Sequence, residues 1–261
     1  MSTTTTLHVD GLGAVPLTYT RYGDGTHKPV LLLHGGGGPG TVNPWGEKIA
    51  AELPAEVVAP VHPGFDFTER PEVVDSIAAV ARVEAALLDE LNLTGVTVVG
   101  NSIGGWVAIE LALLASPRVT RLILVDSVGI EVDGHPIPDF FEMSPADLAA
   151  ATFADPATHG IDFSTLPEPV RRRMASNRAS LDLYAGRTMA DPGLKARLDG
   201  ITVPTLVVWG EADGMGDLDY GRALAATIPD ARFQVIEHAG HLPQVEQPAA
   251  LTALVAGALT D

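Results

Sequence analysis

The chain has no cysteine among its 261 residues. That excludes disulfides, thiolate zinc sites, iron–sulfur clusters and cysteine nucleophiles together, and leaves Ser, Asp, Glu and His to carry any chemistry. Positive charge is also scarce: 16 Lys and Arg stand against 33 Asp and Glu, a formal net charge of −17. Binding to phosphate backbones or anionic lipid relies on cations that displace counterions, so neither nucleic acid nor a membrane is an expected partner, and the acidity reads as solubility. No apolar run approaches the roughly 18 residues that span a bilayer. The opening MSTTTTLHVDG has neither the positive nor the apolar region of a secretory signal. The expectation is a soluble, cytoplasmic protein whose partner is a small molecule.

The chain does have apolar residues, 46% of it, enough for a large core in one domain with an insertion. Short β-type runs recur at 29–34, 56–61, 96–100, 119–126, 204–210 and 231–237, with helix-like stretches between them. Near-continuous apolar strands alternating with helices imply an α/β fold, a mostly parallel sheet covered on both faces. The segment PLTYTRYGDG at 16–25 reads as part of an antiparallel strand pair leading into that sheet. Between 73 and 91 the spacing predicts a helix with Val73, Ile77, Val80, Val83, Leu87, Leu88 and Leu91 on one face.

The alternation stops once. From 130 to 200 the sequence offers Pro-punctuated, helix-prone pieces, among them 144–153 and 168–186. An insertion there predicts a small helical lid over the carboxyl edge of the sheet, with residues 1–129 and 201–261 forming the core.

Four stretches carry chemistry. Gly100-Asn101-Ser102-Ile103-Gly104 matches G-x-S-x-G, with a β-branched strand before it and an apolar helix after it. Such a turn holds a serine in a strained conformation with its hydroxyl above the sheet, and it needs small neighbours. A serine hydroxyl is a poor nucleophile at neutral pH, so a histidine base and an orienting carboxylate are required. His241, in EHAGHLPQVEQP, lies beyond the last predicted strand, with His238 as its rival; Gly240 before it is expected to leave the imidazole room to reach the serine. Asp213, in GEADGMGD, follows the strand PTLVVWG and is the favoured acid, with Glu211, Asp217 and Asp126 as competitors.

The fourth stretch is HGGGGPG, His34 to Gly40, which also satisfies G-x-G-x-x-G. Pro39 removes a donor from any phosphate cradle, no capped helix begins at once, and the next strand ends without the acidic residue that binds ribose, so a dinucleotide site is disfavoured. An oxyanion hole fits better: the N–H of Gly36 would pair with that of Ile103, the residue after the serine. His34 reads as a structural hydrogen-bonding residue.

These motifs, in this order and over essentially the whole chain, resemble the α/β-hydrolase fold family. The resemblance implies a Ser102–Asp213–His241 triad, an acyl-enzyme intermediate and no cofactor. HGGGGPG together with asparagine before the serine is similar to the hydrolases that cleave carbon–carbon bonds in ring-fission products of aromatic catabolism. Those carry tryptophan after the histidine, where Leu242 stands here. The family loop D-x-P-G-x-G-x-S is also altered, with Asp66 and Thr68 in VHPGFDFTERPE.

Candidate substrate contacts are Asn101, Leu242, Phe141 and Arg178, the last from a cluster with Arg171, Arg172 and Arg173 that could meet a carboxylate. Phe140, Met143, Phe153, Leu181 and Tyr184 are further candidates for an apolar pocket. The expected activity is hydrolysis of carboxylic esters of small apolar substrates. Carbon–carbon hydrolysis of dienoates, lactone hydrolysis, and ligand reception on a hydrolase fold are the alternatives.

Overall fold

A computed structural model describes residues 2–25 and 27–260. Eight strands form one sheet: β1 (Ser2–Val9), β2 (Gly13–Tyr22), β3 (Lys28–Leu33), β4 (Ala55–Val61), β5 (Val96–Asn101), β6 (Val119–Val125), β7 (Thr205–Gly210) and β8 (Arg232–Ile236), in the order β1-β2-β4-β3-β5-β6-β7-β8. β1 pairs with β2 and β2 with β4 antiparallel, and every later pairing is parallel. The strands therefore lie where the apolar runs place them. β4, β5 and β7 are buried along their whole length, as expected of strands covered on both faces.

The helices are α1 (Asn43–Glu52), α2 (Ile77–Glu90), α3 (Ile103–Leu113), α4 (Pro145–Thr152), α5 (Pro156–His159), α6 (Glu168–Ala185), α7 (Leu218–Thr227), α8 (Pro243–Glu246) and α9 (Pro248–Thr260). Two core clusters lie on opposite faces of the sheet. One holds α2, α3 and α7; the other holds Trp45 and Ile49 of α1 and Leu251 and Val255 of α9. α3 is buried from Ile103 to Ala112, which is why its sequence is apolar all round rather than on one stripe. α2 starts later than its periodicity suggests. Ser76 caps it by accepting the N–H of Ala79, so Val73 lies outside the helix and half exposed.

α4, α5 and α6 fall between β6 and β7, at the carboxyl end of the parallel strands. α4 and α5 contribute no buried residue, whereas α6 buries Asn177, Leu181, Tyr184 and Ala185. The chain's return to the sheet is pinned to α3 by Arg197, whose guanidinium bonds both carboxylate oxygens of Glu110 (2.8 and 2.6 Å) and Asp191 (2.8 Å). Among the described residues no helix is long and apolar enough to cross a membrane.

Candidate active site

β5 ends at Asn101 and α3 begins at Ile103, so Ser102 alone makes the turn. Its φ of 58° and ψ of −122° lie in a region that an L-residue occupies only under constraint. The constraint comes from both sides. The Ser102 N–H is held by the Val125 carbonyl (3.0 Å), while the Ser102 carbonyl takes the N–H of Gly105 (2.9 Å). A Cβ on Gly100 would strike the Gly104 carbonyl, and one on Gly104 would strike the end of β3. Only glycine allows strand and helix to approach so closely around the serine.

His241 lies beyond β8 and Asp213 beyond β7. The imidazole Nδ1 and Asp213 Oδ2 are 2.9 Å apart, with both residues buried. The other oxygen of Asp213 accepts the N–H groups of Met215 (2.7 Å) and Gly216 (3.3 Å). With Oδ1 occupied in this way, Oδ2 remains to accept Nδ1–H, and that fixes the tautomer in which Nε2 is the imidazole's free base. Ser102 and His241 line the same cavity.

The competing groups have other work. His238 is exposed, its N–H bonded to Glu211 and its carbonyl to Gln247. Asp217 caps α7 and pairs with His135. Asp126 is wholly buried; its Oδ1 accepts the Gly210 N–H (2.8 Å), tying the end of β6 to β7. One donor atom each from Asp126, Asp213 and His241 falls within 4.8 Å of the others. Burial and the charge of Asp213 push the Asp126 carboxyl well up, which favours its neutral form.

The loop after β3 is fixed by an ordered set of protons. The peptide between Gly35 and Gly36 presents its carbonyl to the N–H of Gly38 (3.0 Å) and to His34 Nδ1 (2.8 Å). A trans peptide points its N–H opposite its C=O, so these bonds also set the direction of the Gly36 N–H. His34 is fully buried, and its Nε2 accepts the His62 N–H (3.0 Å), which leaves Nδ1 as the donor. His62 Nε2 donates to the His34 carbonyl (3.1 Å), and in the neutral ring that burial favours, its Nδ1 accepts from Glu84 (3.2 Å). Glu84 must then carry the proton. Burial holds both histidines down, His62 to about 4, and lifts Glu84 to about 8, consistent with that neutral ladder.

The cavity is about 470 Å³ and is walled mainly by apolar groups, including Val128, Ile137, Phe140, Leu148, Phe153 and Leu181. Gly36, Asn101, Arg171, Arg178 and Leu242 also line it. The expectation for Phe141 needs correction: Phe140 faces the cavity, while Phe141 lies outside its lining, with the guanidinium groups of Arg178 and Arg187 4.7 and 4.9 Å from its ring. Met143 and Tyr184 are likewise absent from the lining; the Tyr184 hydroxyl donates to the Pro63 carbonyl (2.8 Å). Asn101 borders the cavity, but its amide is committed to the protein. Nδ2 donates to the carbonyls of Val125 (3.2 Å) and His241 (3.0 Å), and Oδ1 accepts from Gln244 (3.1 Å). The asparagine thus staples the elbow to the histidine loop.

Gly240 also has a different reason from the one its sequence suggests. A Cβ there would strike the Thr152 carbonyl and stand 2.9 Å from Phe153 Cα. The glycine makes room for α4, not for the imidazole. The Thr152 carbonyl accepts the His241 N–H (2.7 Å), and the Ala151 carbonyl accepts the N–H of Gly214 (2.9 Å). A helix leaves its last carbonyls without partners. Here two of them bond the loops of the acid and the histidine.

A family model for the alpha/beta hydrolase fold matches residues 28–248. The chain belongs to that family. It is 29% identical over 194 residues to a 2-hydroxy-6-oxononadienedioate/2-hydroxy-6-oxononatrienedioate hydrolase of Cupriavidus pinatubonensis, covering 67% of this chain and 65% of that one. It is 28% identical over 273 residues to a 2-hydroxymuconate semialdehyde hydrolase of Pseudomonas putida, covering 89% and 87%. In structure it is similar to a thermophilic esterase from Thermogutta terrifontis, with a TM-score of 0.77, 24% identity, and 99% and 98% of the two chains covered.

Proposed function

We propose that this hydrolase cleaves carboxylic esters of small apolar substrates through an acyl-enzyme formed on Ser102. The observation that carries the reading is the strained serine lining an apolar cavity shared with His241, whose second ring nitrogen is engaged by Asp213. In this mechanism His241 Nε2 takes the Ser102 proton as Oγ attacks the ester carbonyl, then returns it to the departing alcohol. Asp213 keeps the imidazole in the right tautomer and stabilises its charged form. The N–H groups of Gly36 and Ile103 stabilise the oxyanion; Ile103 is the first residue of α3, where an N–H has no partner within its own helix. Water repeats the sequence to release the acid. The insertion at 130–200 serves as the lid that walls the acyl or alcohol pocket.

A second reading, carbon–carbon hydrolysis of a dienoate, is favoured by two observations. The two relatives above act on substrates of that kind by name, and Arg171 and Arg178 both border the cavity, where a carboxylate would find a cation. Against it, Arg178 already donates to the Phe140 carbonyl (3.2 Å) and stacks on Phe141, and Arg171 is paired with Glu168 (2.8 Å). A panel of p-nitrophenyl esters of rising chain length, lactones and a coloured ring-fission dienoate separates the readings. Ester turnover that rises with short-chain acyl length and disappears in Ser102→Ala is the expected result. Preferential turnover of the dienoate, lost in Arg178→Ala, would replace it with the second reading.

A further inference from the structure

Asn177 sits in the middle of α6 and is almost fully buried, an unusual place for a primary amide unless every hydrogen-bonding atom is used. Its Oδ1 accepts the main-chain N–H of Asp66 (2.7 Å). Its Nδ2 donates to Asp66 Oδ1 (3.0 Å) and to the Gly37 carbonyl (3.3 Å). The three partners fix the amide's orientation, since an N–H faces the oxygen and two acceptors face the nitrogen. Gly37 follows the proposed oxyanion donor Gly36, and Gly38 approaches so closely that a Cβ there would strike Asn177 Nδ2.

Asp66 stands where the related loop has glycine. It keeps the left-handed backbone that glycine would supply, with φ 50° and ψ 37°. The side chain is what this chain adds. Asp66 offers Asn177 both an N–H and a carboxylate oxygen, a two-point contact that glycine could not make. Thr68 closes the same loop by accepting the Gly64 N–H (3.1 Å) and donating to the Phe65 carbonyl (2.7 Å). The Asn177 face continues along α6, where Ser180 donates to the Gly64 carbonyl (2.8 Å) and Leu181 packs over Gly36.

We propose that Asn177 and Asp66 form a positioning pair that ties helix α6 to the oxyanion loop through Gly37 and so holds the Gly36 N–H in its working direction. The inference rests on the reading of Ser102 as a nucleophile with Gly36 as an oxyanion donor. Asn177 borders the cavity that Ser102 lines, but its amide is spent on Asp66 and Gly37, so the pair acts through the loop. From the core side the peptide between Gly35 and Gly36 is aimed by His34, and from the insertion side Asn177 holds the peptide between Gly37 and Gly38, whose N–H bonds the Gly35 carbonyl. A donor misaimed by a fraction of an ångström stabilises the tetrahedral species less while leaving the apolar binding surface in place.

The test uses p-nitrophenyl butyrate as substrate and butylboronic acid as a tetrahedral probe that adds to the serine. Asn177→Ala should lower kcat about 10- to 100-fold and weaken boronate binding in parallel, while KM changes less than about threefold. Asp66→Gly, which keeps the main-chain contact and deletes the carboxylate, should fall between parent and Asn177→Ala, and Asp66→Asn should stay near the parent. If Asn177→Ala fails to fold, Asp66→Gly supplies the same comparison of kcat with boronate affinity. Parent-like kcat and boronate affinity in a folded variant would overturn the pair. So would a fall in kcat with boronate affinity unchanged. A parent that neither hydrolyses esters nor binds the boronate would instead overturn the serine reading, and this inference with it.

Discussion

Helix α6 reaches the loops around the proposed oxyanion site with side chains, through Asn177, Ser180 and Tyr184. Helix α4 reaches the loops of Asp213 and His241 with main-chain carbonyls, those of Ala151 and Thr152. The two helices come from one insertion and grip opposite halves of one site. A side-chain grip can be removed one contact at a time, and it leaves marks in the sequence. A main-chain grip depends on how closely two backbones approach, so it is guarded by glycine on the receiving loop and is insensitive to the side chains of the helix that makes it. Polar burial follows the same division, since α6 buries Asn177 whereas α4 buries nothing.

The largest effect that would break this comparison belongs to Gly240. Gly240→Ala forces its Cβ into the Thr152 carbonyl, so α4 must withdraw and the His241 N–H loses its partner. A loss of about 100-fold in kcat/KM is expected, with a lower Tm on thermal scanning. Activity close to the parent would mean that α4 does not hold the histidine loop. Next comes Tyr184→Phe, which leaves the Pro63 carbonyl without its donor in a buried setting and should cost about 1 to 2 kcal/mol in denaturant unfolding. Thr152→Ala, at the end of the main-chain grip, removes only a bond from Oγ1 back to the Leu148 carbonyl (2.7 Å). A change within about 0.5 kcal/mol is expected, because the contact with His241 is main-chain.

Beneath the glycine loop after β3 the same comparison extends to pH. Glu84 titrates near 8 in the folded chain, well above the ordinary carboxyl value. Through the window from about 4.5 to 8 the folded state therefore holds a proton that the unfolded state has released, and this group's contribution declines as pH rises. Glu84→Gln keeps a donor for His62 and has no proton to lose. Its stability relative to the parent should grow between pH 6 and pH 8. His62, held down to about 4, works the other way: its contribution is present above the ordinary histidine value and is lost as pH falls through 6.5 toward 4. A stability difference between parent and Glu84→Gln that is flat from pH 6 to pH 8 would contradict the neutral ladder.

The sheet was readable because its strands are buried on both faces, and a strand in that position must be apolar at nearly every residue. The elbow was readable because its requirements are local: β-branched residues, then glycine on both sides of a serine. Asp213 and His241 could be located because each follows a recognisable strand, and the loops that carry them converge. What could not be read was the direction of side chains in irregular chain. Phe140 and Phe141 are adjacent and chemically alike, and only the path of the segment after β6 turns one to the cavity and the other to Arg178 and Arg187. Asn101 looked like a substrate contact because it adjoins the serine, but its partners come from the distant Val125, His241 and Gln244. Asn177 was missed altogether. The available signal was a pair of anomalies, an amide on the same helical face as Leu181 and Tyr184, and an aspartate in a loop that usually carries glycine.

The most direct measurement is the initial rate of p-nitrophenyl butyrate hydrolysis by the parent and by Ser102→Ala at matched, folded concentrations. The nucleophile reading requires a fall of at least about 10,000-fold in the variant, the scale of losing a triad member. A variant rate within about twofold of an active parent would place the chemistry elsewhere and remove the role assigned here to the strained serine.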